Sequence, residues 1–392
     1  MPWPKQSLGF AGFFFSYYAF IGVFAPYASL YFSARGMSAA QIGVLMSLIQ
    51  VMRIFGPNLW GWLADRSGRR MLVLRLTAWA GCIAFIGFFF GRDFSTLFAL
   101  MILLNLFTSA QGPLSEALLL AEMRGDLTHY GQLRLWGSIG FIVAVTVAGQ
   151  LLDTQGVTAM PWIALFTLVL TGVATLCLRE APRARAAVDA ASISALLRLR
   201  EVQAFFASTF LMLAAHGAIY VFYSLYLEQL GYSNTVIGLM WSLGVLAEIV
   251  FFFYQAPVFR HFSLRALMLA SLFLAAVRFA MIGFGAESLA LLILAQLLHA
   301  ATFGVHNSAA VATMQRWFAG PLQARGQALF FSISYGLGGT FGGLVLSLVW
   351  NELGARAVFL LAAVFAALGM LAASFSYRWQ RVDQGNLISP PT

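Results

Sequence analysis

The sequence predicts an all-α membrane protein: twelve transmembrane helices in two pseudo-symmetric six-helix bundles. Three observations carry the prediction. The 392-residue chain is 61% hydrophobic and 9% charged, with a mean hydropathy of +0.83. Soluble domains carry about a quarter charged residues. Twelve apolar stretches reach the roughly 20 residues that a helix needs to cross the hydrocarbon. The opening pair of stretches also recurs after a polar interruption. A β-barrel would show short alternating segments instead.

Taken in order, the stretches run 7–33, 38–64, 71–91, 94–122, 131–153, 158–178, 202–230, 233–259, 264–285, 287–316, 323–350 and 354–378. Several exceed the bilayer thickness and call for tilt or protruding ends. The first follows Lys5, as a signal peptide would, but continues past residue 30 without a small-residue cleavage site, so it reads as a spanning helix. Residues 179–201 are the one long polar interruption. They read as a cytoplasmic linker, whose second part suits a short interfacial helix. The linker separates an N-terminal half, 1–178, from a C-terminal half, 202–378. The tail 379–392, with Gly385, Pro390 and Pro391, is expected to be disordered. Cys82 and Cys177 fall inside predicted helices and give neither a disulfide framework nor metal-ligand spacing.

A net charge of +9 could signal nucleic acid, but its placement points elsewhere. Lys5, Arg66, Arg69, Arg70, Arg75, Arg124, Arg179, Arg198, Arg260, Arg265, Arg316 and Arg378 share one side of the twelve-helix arrangement. The other side holds Arg35, Arg92 and Arg356, with Asp93, Asp153, Glu228, Glu287 and Glu352. This is the positive-inside bias, and it puts both termini in the cytoplasm. The basic surface serves topology and anionic headgroups.

The repeat appears at a shift of 195 residues. SLYFSARGMSAAQIGVLMSL (29–48) meets SLYLEQLGYSNTVIGLMWSL (224–243) with nine identities in twenty positions, among them Gly36 with Gly231 and Ser38 with Ser233. Further on, Arg70 meets Arg265 and Gly131-Gln132 meets Gly326-Gln327. Six helices per half give parallel repeats related by an axis along the membrane normal, with a binding site expected between them near mid-bilayer. Arg53 and Glu248 fall on equivalent positions, opposite charges at a point expected to be buried. The glycines of the fifth and eleventh stretches read as close helix packing.

Ionisable groups inside spans are costly and mark function. Here they are Arg53, Glu116, Arg134, Glu248 and Arg278, with His216, His299 and His306. They are expected to line a shared wet cavity; structural ion pairing is the other reading. His299 and His306 are nearly two helical turns apart, so they share a face about 10 Å apart along the axis. Histidine titrates near neutrality and can relay protons. Tyr17, Tyr18, Phe141, Tyr220 and Tyr223 are candidate ring contacts for a substrate. No G-x-x-x-x-G-K-[ST] is present, so ATP is not the expected energy source. Nothing points to a cofactor or metal. There is no H-E-x-x-H and no G-x-S-x-G, so an intramembrane enzyme is not expected.

The loop Gly61-Trp62-Leu63-Ala64-Asp65-Arg66-Ser67-Gly68-Arg69-Arg70 resembles the G-x-x-x-D-R-x-G-R-[KR] loop of the major facilitator superfamily. That resemblance implies a conformational latch built from Gly61, Asp65, Arg66, Gly68, Arg69 and Arg70. Gly22, Pro26, Pro113 to Ala117, and Gly131 to Gly137 resemble the lactose permease family. There the pair matching Glu116 and Arg134 binds sugar, and Phe141 falls where a tryptophan stacks on it. Glu248, Arg278 and His299 resemble its coupling residues, although the lysine and glutamate that accompany that histidine are absent and Gln296 stands near it. Leu59 to Asp65, Arg134 to Ser138, and Leu298 to Asn307 resemble the phenylpropionate permease group of the superfamily.

The resemblance implies a proton-coupled symporter for a small aromatic carboxylate in a bacterial inner membrane. Substrate would contact Arg53, Glu116, Arg134 and the named rings. Protons would pass through Glu248, Arg278, His299 and His306. A nucleoside or oligosaccharide symporter, an exporter, and a non-transporting sensor on the same fold are the alternatives. The expected partners are substrate, protons and lipid, without nucleic acid, and the chain is expected to be monomeric.

Overall fold

The computed structural model describes residues 6–123, 127–180 and 193–386. Among the described residues it is helical, without strands. Helices α1 (Ser7–Ala34), α2 (Ala39–Ser67), α3 (Arg70–Phe89), α4 (Phe94–Met123), α5 (His129–Gln155) and α6 (Val157–Leu176) precede the linker. Helices α7 (Arg200–Gln229), α8 (Asn234–His261), α9 (Leu264–Gly285) and α10 (Leu289–Trp317) follow it. The last apolar run, Arg325–Gln380, is interrupted at Gly354, whose φ of 78° and ψ of 179° are not helical. Glycine adopts such a conformation without a Cβ clash. The run is therefore two helices, α11 (325–353) and α12 (355–386), and the spans among the described residues number twelve.

Two expectations change. Helix α12 continues to Asn386, so 379–386 are not disordered. The stretch from Trp379 to Gln384 holds neither Gly nor Pro, and extending a formed helix needs no new nucleus. Trp379 also stacks on Phe375 at 5.7 Å. The rest of the tail, 387–392, lies outside the described residues, as does most of the linker, 181–192. The linker's second part does form a short helix, Ser194–Leu197. Arg53, expected to be buried, is exposed.

The repeated turn has one structure in both copies. Gly36 and Gly231 adopt left-handed φ values of 78° and 83°. Ser38 then caps α2 in a capping box with Gln41. Its counterpart Ser233 accepts from the Val236 N–H at 3.3 Å. Each cap satisfies helix donors that otherwise lack a partner.

The chain packs as two units. One is Met1–Arg185 with Tyr220–Leu246; the other is Ala186–Ile219 with Ala247–Thr392. The change-over within α7 falls in a π-helical stretch, Ala218–Phe222. Two more π stretches, Ala300–Val305 in α10 and Phe331–Gly338 in α11, lie in the second unit. Such irregular turns are frequent at functional sites. Within the first unit, α1 and α5 touch backbone to backbone: a Cβ on Gly140 would collide with the Phe15 carbonyl. Within the second, Gly342 of α11 meets the Ala214 carbonyl of α7 in the same way. The glycines thus serve close packing.

Candidate functional site

In the first unit, Arg134 near the start of α5 is held by α4 and α1. Its Nε donates to Glu116 Oε1 at 3.1 Å, and its Nη2 donates to the Tyr18 hydroxyl. The guanidinium also lies 4.1 Å from the Tyr18 ring centroid and 5.7 Å from that of Phe14. Cation–π attraction adds to the hydrogen bonds there. Gly137, one turn along α5, leaves room for this: a Cβ would lie 2.6 Å from the Tyr18 ring and 2.9 Å from Arg134 Nη1. Tyr17 meets Tyr18 edge to face at 5.0 Å. The Glu116 and Arg134 side chains are 36% and 30% exposed, so the pair is accessible. Arg53 stands at the midpoint of α2, its Nη1 donating to Gln50 Oε1 at 3.1 Å.

The other candidate rings are placed differently. Phe141 is buried where its own backbone meets Gly22 of α1. Tyr223 is fully buried and packs edge to face on Trp241 at 6.1 Å. Tyr220 sits in the π-helical stretch of α7.

In the second unit, Arg278 of α9 is fully buried. Nε donates to the Ala295 carbonyl at 2.8 Å. Nη1 donates to His299 Nδ1 at 2.9 Å and to Thr302 Oγ1 at 3.0 Å, and Nη2 donates to Gln296 Oε1 at 3.1 Å. A guanidinium has no lone pair to offer, so His299 Nδ1 is the acceptor. This assigns the His299 proton to Nε2, which lies 4.0 Å from Glu248 Oε2. The His299 ring stacks on Phe303 at 5.4 Å.

His306 has the opposite tautomer. Ser271 Oγ donates to the Met268 carbonyl at 2.8 Å, so it accepts from His306 Nδ1 at 3.1 Å. Nε2 of His306 is then a buried lone pair without a hydrogen bond among the described residues. Both histidines face α9, on partners seven residues apart, Arg278 and Ser271. His216 donates from Nδ1 to the Met212 carbonyl at 2.9 Å and lies 6.2 Å from the His299 ring.

The α2–α3 loop is tied within the first unit. Arg70 Nη2 pairs with Asp65 Oδ1 at 2.9 Å. Gly68 ends α2 with a left-handed φ of 65°. The Arg66 guanidinium lies 5.3 Å from the Trp62 ring centroid, and the Arg69 N–H donates to Ser67 Oγ at 3.4 Å. Gly61 has open space around it. Sequence reasoning missed Glu180, whose carboxylate accepts from the Arg70 and Met71 N–H groups at 3.1 and 3.3 Å and so caps α3.

A second missed carboxylate is Asp153, at the end of α5 away from that loop. It accepts from the N–H groups of Asn234 at 2.7 Å and Thr235 at 3.0 Å, from Asn234 Nδ2 at 3.0 Å and from Thr235 Oγ1 at 2.6 Å. Gly149 makes this contact close: a Cβ would lie 2.6 Å from the Asn234 carbonyl. Because Asp153 is exposed, its four bonds are screened, and Asp153→Ala is expected to loosen the start of α8 by about 2 kcal/mol. Amide hydrogen exchange at 234–238 should then quicken roughly thirtyfold. Unchanged exchange would show that the cap contributes nothing.

Comparison with known proteins agrees with this architecture. The MFS_1 like family model matches residues 8–361. The chain is 32% identical over 313 residues to a probable 3-phenylpropionic acid transporter of Escherichia coli (strain K12), covering 78% of this chain and 80% of that one. It is 26% identical over 365 residues to the maltose permease of Geobacillus stearothermophilus, covering 92% and 91%. The crystal structure of nucleoside transporter NupG superposes with a TM-score of 0.86 at 18% identity, over 95% of this chain and 99% of that chain. That likeness shows the shared fold. The chain belongs to the MFS_1 like family: it is a multi-pass secondary transporter of the major facilitator superfamily, phenylpropionate permease group, and not an enzyme.

Proposed function

We propose that the protein is a proton-coupled symporter for a small aromatic carboxylate of the phenylpropionate type. It would work by alternating access in a bacterial inner membrane as a monomer, with both termini cytoplasmic. The observation that carries the coupling is the buried chain Arg278–His299–Glu248. An acid stands at 4.0 Å from a neutral histidine whose other nitrogen is held by an arginine. Charged groups this deep in a span are expensive unless they pair, and such pairs serve proton relays. The relative at 32% identity supports the substrate class.

The accessible Glu116–Arg134 pair favours a second reading. Side by side, an acceptor and a donor suit hydroxyl groups, and relatives include a maltose permease and a putative nucleoside transporter of Escherichia coli (strain K12). Uptake into proteoliposomes with an imposed pH gradient separates the two. Labelled 3-phenylpropionate should accumulate only when the outside is acidic, whereas maltose and uridine should not. Accumulation of either neutral compound instead would replace the carboxylate reading. Accumulation of 3-phenylpropionate without regard to the gradient would remove the proton.

A further inference from the structure

Three arginines lie within the spans named as site candidates, and they differ in how many donors remain. Arg278 is fully buried and places four hydrogen bonds on four different residues. Arg134 has both Nε and Nη2 committed, and one of its partners is itself a carboxylate. A second carboxylate there would meet Glu116, and like charges at contact repel. Arg53 differs from both. Its one hydrogen bond among the described residues is from Nη1 to Gln50, a neighbour one turn back on its own helix. No carboxylate among the described residues pairs with it.

Arg53 does not face lipid. At 100° per residue, Met46, Gln50, Gly56, Trp60 and Ala64 fall within about 60° of it around α2. That stripe is packed. Met46, Gln50, Gly56 and Ala64 are buried. Trp60 Nε1 donates to the Leu106 carbonyl at 2.8 Å. The opposite face carries Phe55, Leu59 and Trp62, which are 58%, 47% and 57% exposed, as lipid-facing residues are. The exposure of Arg53 is thus a gap in a packed stripe. A guanidinium at the midpoint of a spanning helix, with its fork committed only to Gln50 through Nη1, fits a planar anion.

We infer that Arg53 is the residue that receives the substrate's carboxylate, and so decides anion against neutral specificity. The inference rests on the carboxylate reading above. Its test is equilibrium binding of 3-phenylpropionate and of its uncharged amide, 3-phenylpropionamide, to the purified full-length protein. Wild type should prefer the acid. Arg53→Gln should weaken acid binding on the order of 30-fold, the loss expected for a charge-assisted fork, and weaken amide binding by no more than a few-fold, because a neutral carbonyl gains less from the fork. Amide binding also reports that the variant is folded. Arg53→Lys keeps the charge without the planar fork and should recover part of the preference. An Arg53→Gln protein, or an Arg53→Lys protein should Arg53→Gln not fold, that keeps the full wild-type ratio overturns the inference and leaves the carboxylate reading standing. Wild type that binds the amide as tightly as the acid, or binds neither, removes that reading and the inference with it.

Discussion

Arg278→Leu is expected to destabilise the protein by about 3–5 kcal/mol, the range found when one member of a buried charged cluster is removed. The thermal midpoint in detergent should fall sharply. The size follows from what is left behind. Without the guanidinium, the Ala295 carbonyl, Gln296 Oε1 and His299 Nδ1 lose their donor inside a packed core. Each stranded polar group costs about 1–3 kcal/mol. Arg278→Lys should recover only part, because one ammonium cannot span acceptors that the fork reaches on three sides. A second readout separates scaffold from proton handling. Arg278 occupies the His299 lone pair, so its removal should change the His299 tautomer, seen in the ring ¹⁵N shifts. A variant with wild-type midpoint and unchanged shifts would contradict both roles.

The fold was largely legible because its signal is local. Twenty-residue apolar runs announce helices one at a time, and a bilayer leaves few other ways to satisfy the backbone. The turn at Gly36 and its copy at Gly231 were visible as a repeated Gly-x-Ser, and both copies fold alike. The shared face of His299 and His306 followed from their spacing, and it survives the intervening π stretch. The Glu116–Arg134 pair came from resemblance, since eighteen residues of spacing alone do not bring two helices together.

What stayed hidden depends on long-range partners. Asp153 reaches a helix start 81 residues away, and Glu180 reaches one 110 residues away. In the sequence each is an ordinary acid at the edge of an apolar stretch. With 15% of the chain aromatic, nothing singled out Tyr18 as the ring on which Arg134 would lie. The exposure of Arg53 was invisible for a different reason. Periodicity gives the face of α2 that packs, but not a gap within that face. The equivalence of Arg53 with Glu248 suggested a common environment, whereas the side chains differ: Arg53 is exposed and the Glu248 side chain is 15% exposed.

Glu248→Gln is expected to abolish uphill, proton-driven accumulation while leaving downhill exchange of substrate largely intact. Glutamine keeps the size and hydrogen-bonding reach of the acid and removes only its charge and its exchangeable proton. In this structure His299 presents Nε2–H towards Glu248, and Arg278 covers its other nitrogen. His299 cannot take a proton on Nδ1 while that bond stands, so of the two groups the acid is the one that can accept a proton. A movement that takes Glu248 out of the field of the Arg278–His299 pair, within the second unit, would raise the cost of the carboxylate's charge and favour its protonation. The neutral acid could then pass through a low-dielectric state without an unpaired charge, which would cost several kcal/mol. With glutamine residue 248 carries no charge at any pH, so the carrier can cross in either direction without taking up a proton there. Counterflow of labelled substrate should therefore persist at a rate within a few-fold of wild type, while accumulation against a gradient falls to equilibrium. The pH dependence of substrate binding should flatten in the same variant. If Glu248→Gln still concentrates substrate at the wild-type level, Glu248 is not the coupling acid. His306, whose buried Nε2 has no hydrogen bond among the described residues, then becomes the residue to replace.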